Sequence, residues 1–156
     1  MTTFQQLQEN PNIQKLIKET FDADLPISGD WGYSKEKASI IEMLPEDMPL
    51  SQLEHTLTSI RAHLEMNITQ TKENRYAGIN ANEKLRERIS ANNVMFDKVN
   101  YEITAIKEEL YNAFIKEYKE GYDNEALDLN EHFKQRKEAT LTREVIHYFK
   151  LSHKLL

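Results

Sequence analysis

At 156 residues, with a net charge of −6, ordinary charged content and no cysteine, the chain fits one soluble domain with a real hydrophobic core. Lack of cysteine excludes disulfides, thiolate nucleophiles, Cys-ligated zinc and iron–sulfur clusters. No apolar run reaches the ~18 residues of a membrane span, and no region carries the basic surplus of a nucleic-acid binder.

The acidic balance is concentrated early. Residues 1–50 carry 4 Lys against 9 Asp or Glu, and the most basic stretch, Lys134-Gln135-Arg136-Lys137, is flanked by Glu131 and Glu138. That interleaving reads as a solvated helix face. No basic, apolar leader opens the chain, so a cytoplasmic protein without a signal peptide is expected.

In chain order, Phe4 and Leu7 begin an apolar face that Asn10-Pro11-Asn12 interrupts, and Ile13, Leu16, Ile17 and Phe21 resume it at helical spacing. The pattern predicts two short helices meeting at an angle, with Pro11 in the first turn of the second. Gly29 and Gly32 then permit a sharp corner around Asp30-Trp31. Ala38–Met43, β-branched in its middle, reads as a strand, with a helix capped by Ser34 as the rival, and Pro45 and Pro49 mark the connection after it. Ser51-Gln52-Leu53-Glu54 has capping-box spacing, and Leu53, Leu57, Ile60, Leu64 and Ile68 form one apolar stripe. A helix is predicted over Gln52–Thr69, one side packed and the polar side facing water or a partner.

Lys72–Asn82 reads as a loop and Glu83–Ser90 as a short helix ended by Ala91-Asn92-Asn93. Val99, Tyr101, Ile103 and Ala105 alternate with polar residues, which predicts a strand over Lys98–Ile106 and then a helix Lys107–Glu120 ending at Gly121. The same residues also offer Val99, Ile103, Ile106, Leu110 and Phe114 at helical spacing, and one long helix there would make the protein a mostly α-helical bundle. Asp128–Glu138 reads as a helix with an N-capping Asp128, and Glu144–Leu151 as a final strand. The resulting expectation is a single α+β domain, with about three strands joined by crossovers and covered by the Gln52–Thr69 helix. Residues 1–12 and 152–156 are expected to be loosely attached.

The five histidines show no metal-ligand spacing. His55 and His63, eight apart on a helix, differ by about 80° around it. His132, His147 and His153 show no mutual pattern. Nucleotide-binding glycine loops and nucleophile-elbow motifs are also missing. No metal, no cofactor and no nucleic-acid partner are therefore expected.

Two segments stand out as binding candidates. Trp31 and Tyr33 flank Gly32 on the corner, where rigid aromatics supply contact area at little entropy cost, unless Trp31 folds inward as a core plug. Arg75 and Tyr76 precede Gly78, where a guanidinium can grip a carboxylate or phosphate, unless Arg75 pairs with Glu73 or Glu83. The reading that follows is a non-catalytic protein-interaction domain. Self-association is a further expectation, through Ala62 and Met66 off the main stripe of the long helix. The alternative is an enzyme assembled from Arg75, Tyr76 and a distant histidine such as His147.

Overall fold

The structure, a computed structural model, describes residues 4–121 and 128–156. It is an α+β fold built on a five-stranded sheet: β1 (Ile27–Gly29), β2 (Ser39–Ile41), β3 (Tyr76–Ala91), β4 (Val94–Lys107) and β5 (Leu141–Leu151). The strand order is β1-β2-β5-β4-β3, with only the β2–β5 pair parallel. Four α-helices are described, α1 (Ile13–Phe21), α2 (Leu50–His63), α3 (Glu108–Gly121) and α4 (Leu129–Ala139).

The period-two segments behave as their alternation requires. Val99, Tyr101 and Ile103 of β4 are fully buried, as is Phe149 of β5, and their polar neighbours point to the other face. Strand ends at Lys107 and helix begins at Glu108, so residues 98–120 do not form one long helix. The three expected strands correspond to β2, β4 and β5.

The expectation of about three strands misses β1 and β3. Residues 83–90, read as a helix, belong to the 16-residue β3, and the expected loop over Lys72–Asn82 is a 3₁₀ turn at Lys72–Asn74 followed by the start of that strand. Leu85 and Ile89 do lie four apart, but β4 offers a ladder from Tyr76↔Lys107 to Ala91↔Val94, broken only by register shifts between Ala77 and Asn80 and between Glu83 and Leu85, and that pairing overrides the local preference. Asn92 and Asn93, both at positive φ, form the two-residue turn that matches strand twist. β3 and β4 are thus a hairpin and not a crossover pair.

At the front of the chain, residues 4–10 are not helical, which leaves α1 alone in place of the predicted helix pair. Asn12 caps α1 by accepting from Lys15 N at 3.0 Å, so Pro11 lies just outside the helix. Phe4 and Leu7 nevertheless pack against the core. Residues 1–3 of the segment expected to be loose lie outside the described residues. At the other end, residues 153–155 form a 3₁₀ turn, and His153 Nε2 lies 3.0 Å from the Asn93 carbonyl oxygen.

α2 starts two residues too early for a capping box: its N-cap is Pro49, and Ser51 lies within the helix. It continues as a π-turn over Leu64–Ile68, with Thr69 N–H bonding to the Leu64 carbonyl five residues back. The wider turn rotates the apolar stripe, burying Met66 completely and turning Ile68 outward to 50% exposure. Met66 and Ala62 belong to this protein's own core, so the second apolar face predicted for self-association is already used.

Candidate functional site

The polar side of α2 is where the structure departs furthest from its sequence pattern. Glu54, Thr58, Arg61 and Glu65 recur at helical spacing, one residue on from the apolar stripe, and all four are buried. They form a polar seam between the helix and the sheet, which residues from the strands close at two places.

At one end, Glu65 accepts from Tyr33 Oη (2.5 Å) and from Arg143 Nη1 (3.0 Å), and Arg61 Nε stands 3.9 Å away. Arg61 also donates to the carbonyls of Trp31 and Ile146, at 3.1 Å each, and its guanidinium lies 4.5 Å from the Tyr33 ring centre. Burial lowers the Arg61 pKa, and Glu65 and Tyr33 oppose that shift. The Tyr33 phenol is pushed upward by burial and then by the Glu65 charge. In the middle sits His147, fully buried, with Nε2 2.8 Å from Ser39 Oγ and Nδ1 2.9 Å from Thr58 Oγ1, its ring stacked on Phe149. Burial, reinforced by Arg61, holds its pKa well below 6.5, so the ring is neutral, donating through one nitrogen and accepting through the other.

At the other end, Arg86 of β3 donates through Nη1 to Glu54 Oε1 (2.6 Å) and to Asp97 Oδ2 (3.3 Å), and through Nη2 to Glu83. Arg88 forks onto Asp97 at 2.9 and 3.3 Å. Desolvation drives the Glu54 pKa up to about 8, whereas at Asp97 the upward push of burial is outweighed by the hydrogen bonds and charge of its neighbours, Arg88 first, which hold it low.

Beside the first cluster runs a cleft of about 440 Å³ between residues 5–10, α1 and the π-turn. Its apolar surface comes from Leu7, Leu16, Trp31, Leu64 and Ile68, and its polar surface from amides and hydroxyls including Gln5, Gln6, Gln8 and Gln70. Among the described residues, none that lines it is charged. The leading segment is held in place by Trp31 Nε1 donating to the Gln8 carbonyl (3.2 Å) and by Leu7 N–H donating to Tyr33 Oη (2.9 Å).

Comparison with protein families, curated proteins and solved structures finds no match. The arrangement of the side chains is what speaks to function.

Among the candidate residues, Trp31 is 2% exposed, a core side chain with an edge on the cleft, which corrects the picture of a projecting aromatic anchor. Tyr33 is engaged with Glu65 and stands just behind the cleft wall. Among the described residues Arg75 forms no ion pair with Glu73 or Glu83; its Nε donates to the Gln70 carbonyl at 3.4 Å, and Glu83 is taken by Arg86. Tyr76 opens β3 as a buried residue, with its ring against Phe4 and 4.8 Å from Lys107 Nζ. Among the described residues no hydrogen bond, ion pair or ring contact joins the two pairs directly; Phe4 packs on Tyr76 and lies under the Arg143 guanidinium, which reaches Glu65 and so Tyr33. Nor do Arg75 and Tyr76 meet His147: Tyr76 pairs with Lys107 and His147 with Val99, which places them roughly 26 Å apart along β4.

Sequence reasoning missed the seam because polar residues on a helix read as solvated. The available signal was their spacing, 54-58-61-65, together with Asp97 in phase with the inward positions Val99 and Tyr101.

Proposed function

We propose that this protein is a non-catalytic binding domain that seats an uncharged, extended segment of a partner protein in the cleft between residues 5–10, α1 and the π-turn. The observation that carries the reading is the lining. Although 29% of the chain is charged, none of the described residues that line this cleft is, and its amide groups lie beside an apolar surface. Primary amides donate and accept at once, as peptide groups do, so they suit main-chain recognition, while Leu16 and Ile68 offer contact to apolar side chains. The volume is in the usual range for a ligand site, and a π-turn commonly accompanies one. The ionised groups nearby, Arg61 and Glu65, are occupied with each other and with Tyr33 and Arg143, which suits a scaffold for the cleft wall better than a reacting centre.

Trp31 is the only tryptophan and lines the cleft, so its fluorescence reports occupancy directly. Titration with capped hexapeptides of alternating leucine and threonine should shift Trp31 emission saturably. The same peptides with alternating leucine and aspartate should not. Ile68→Asp, at a half-exposed position, should abolish the shift and leave the fold intact by circular dichroism. An unchanged titration in Ile68→Asp, or no response to any uncharged peptide, would overturn the proposal.

A further inference from the structure

The second polar cluster carries one negative charge too many. Glu54, Asp97 and Glu83 supply three carboxylates, whereas Arg86 and Arg88 supply two guanidinium groups. Glu83 is partly exposed, whereas Glu54 and Asp97, whose side chains are 0% and 1% exposed, are where the surplus negative charge costs most. Both accept from the same Arg86 Nη1. The oxygens of Asp97 are otherwise satisfied by Arg88, but Glu54 Oε2 is buried and accepts no hydrogen bond. Glu54 Oε1 and Asp97 Oδ2 converge on that one Arg86 nitrogen, at 2.6 and 3.3 Å, which brings the two carboxylates side by side. Two acceptors facing each other in a dry site repel unless one carries a proton. A proton on Glu54 Oε2 converts that repulsion into an O–H donor to Asp97 and brings the cluster to neutrality.

We propose that Glu54 and Asp97 share a single proton that seats the β3–β4 hairpin on α2, and that its departure under mildly alkaline conditions loosens this seam. Every element packed there contributes a group that sets the response. From β3 come Arg86, Arg88 and Glu83, and from β4 Asp97 and Tyr101, whose hydroxyl is buried. His55 of α2 sits over the Tyr101 ring with its Nε2 2.8 Å from the Ala81 carbonyl. His147 of β5 is neutral and joined to α2 through Thr58. None of the other carboxylates is buried without a hydrogen bond on one oxygen among the described residues, which singles out Glu54.

The sign of the dependence follows from linkage. Burial raises the folded-state pKa of Glu54 from 4.5 to about 8, so the folded protein binds more protons than the unfolded one across that interval. This group's stabilising contribution is complete below pH 4.5 and is lost as pH rises toward 8. His147 acts oppositely below 6.5, so the Glu54 dependence stands alone between 6.5 and 8.

The test is carboxyl-carbon NMR of the full chain during a pH titration, with amide hydrogen exchange along residues 83–97. One glutamate should remain protonated at pH 6.5 and titrate near pH 8, and exchange in the hairpin should rise through that transition beyond the intrinsic pH trend. Glu54→Gln carries an amide that donates to Asp97 and accepts from Arg86, so it should remove both the titration and the alkaline loosening. Glu54 titrating among the ordinary carboxylates would overturn the inference. So would a Glu54→Gln variant that loosens at the same pH as wild type. If that variant does not fold, the wild-type titration alone decides.

Discussion

Gly32→Ala tests whether the corner and the histidine seam are one packed unit. Gly32 has φ +87°, and a Cβ built there would collide with His147 Cδ2 and Nε2. The imidazole has no room to yield. It is fully buried, held on both sides by Ser39 and Thr58, and stacked on Phe149 with ring centres 4.0 Å apart. The left-handed backbone alone costs alanine about 1–2 kcal/mol. Forcing the ring aside adds about 2–3 kcal/mol, either as overpacking or as a buried imidazole nitrogen left without its partner. Together these give a loss of about 3–5 kcal/mol, a large share of a typical ~5–15 kcal/mol stability. Urea unfolding at constant m-value measures it. In a His147→Ala background the ring is gone, so Gly32→Ala should then cost only the backbone share, leaving a coupling of about 2 kcal/mol between the two sites. A Gly32→Ala loss below about 1 kcal/mol, or the same loss with and without the imidazole, would refute the reasoning.

Arg61→Ala should destabilise by about 3–5 kcal/mol, because it strands Glu65 and two carbonyls around a site where the guanidinium is 3% exposed. Arg143→Ala, at a partly exposed position, should cost only about 1–2 kcal/mol in the same urea assay, and equal losses would contradict the role given to burial. Thermal unfolding across pH should show a plateau between about 4.5 and 6.5, where the Glu54 and His147 dependences oppose each other. Below 4.5 stability should fall as His147, depressed in the folded state, resists a proton that the unfolded chain accepts; a His147→Asn variant that keeps the full acidic decline would exclude this cause. Asn12→Ala should cost about 1 kcal/mol by removing the cap on Lys15 N, whereas Ser51→Ala should stay within about 0.5 kcal/mol, and a large Ser51 effect would restore the capping box that the structure replaces.

Much of the scaffold was legible as pattern. The alternation around Val99–Ala105 and Val145–Leu151 favoured strands because period two lets half the residues leave water on one face, although around Val99 a helical period competed with it. The stripe Leu53-Leu57-Ile60-Leu64 specified the main helix for the same reason at period 3.6. Gly29 and Gly32 marked a corner, and their positive φ values of 81° and 87° bear that out. For Gly32 the structure adds a second reason, the absence of space beside His147.

The rest was settled by what each segment met in space. Residues 83–90 are good helix formers that became an edge strand because β4 lay alongside with a free ladder. Glu54, Arg61 and Glu65 look solvated until Arg86, Arg143 and Tyr33 arrive from distant positions to compensate them. Buried charge is tolerable only with its partners in place, and those partners stand 32, 78 and 32 residues from the carboxylates they reach. Local periodicity therefore marked most of the residues that turn toward the core, and tertiary structure decided the exceptions, Met66 inward and Ile68 outward, which polar groups go in with them, and which surface is left open as the cleft.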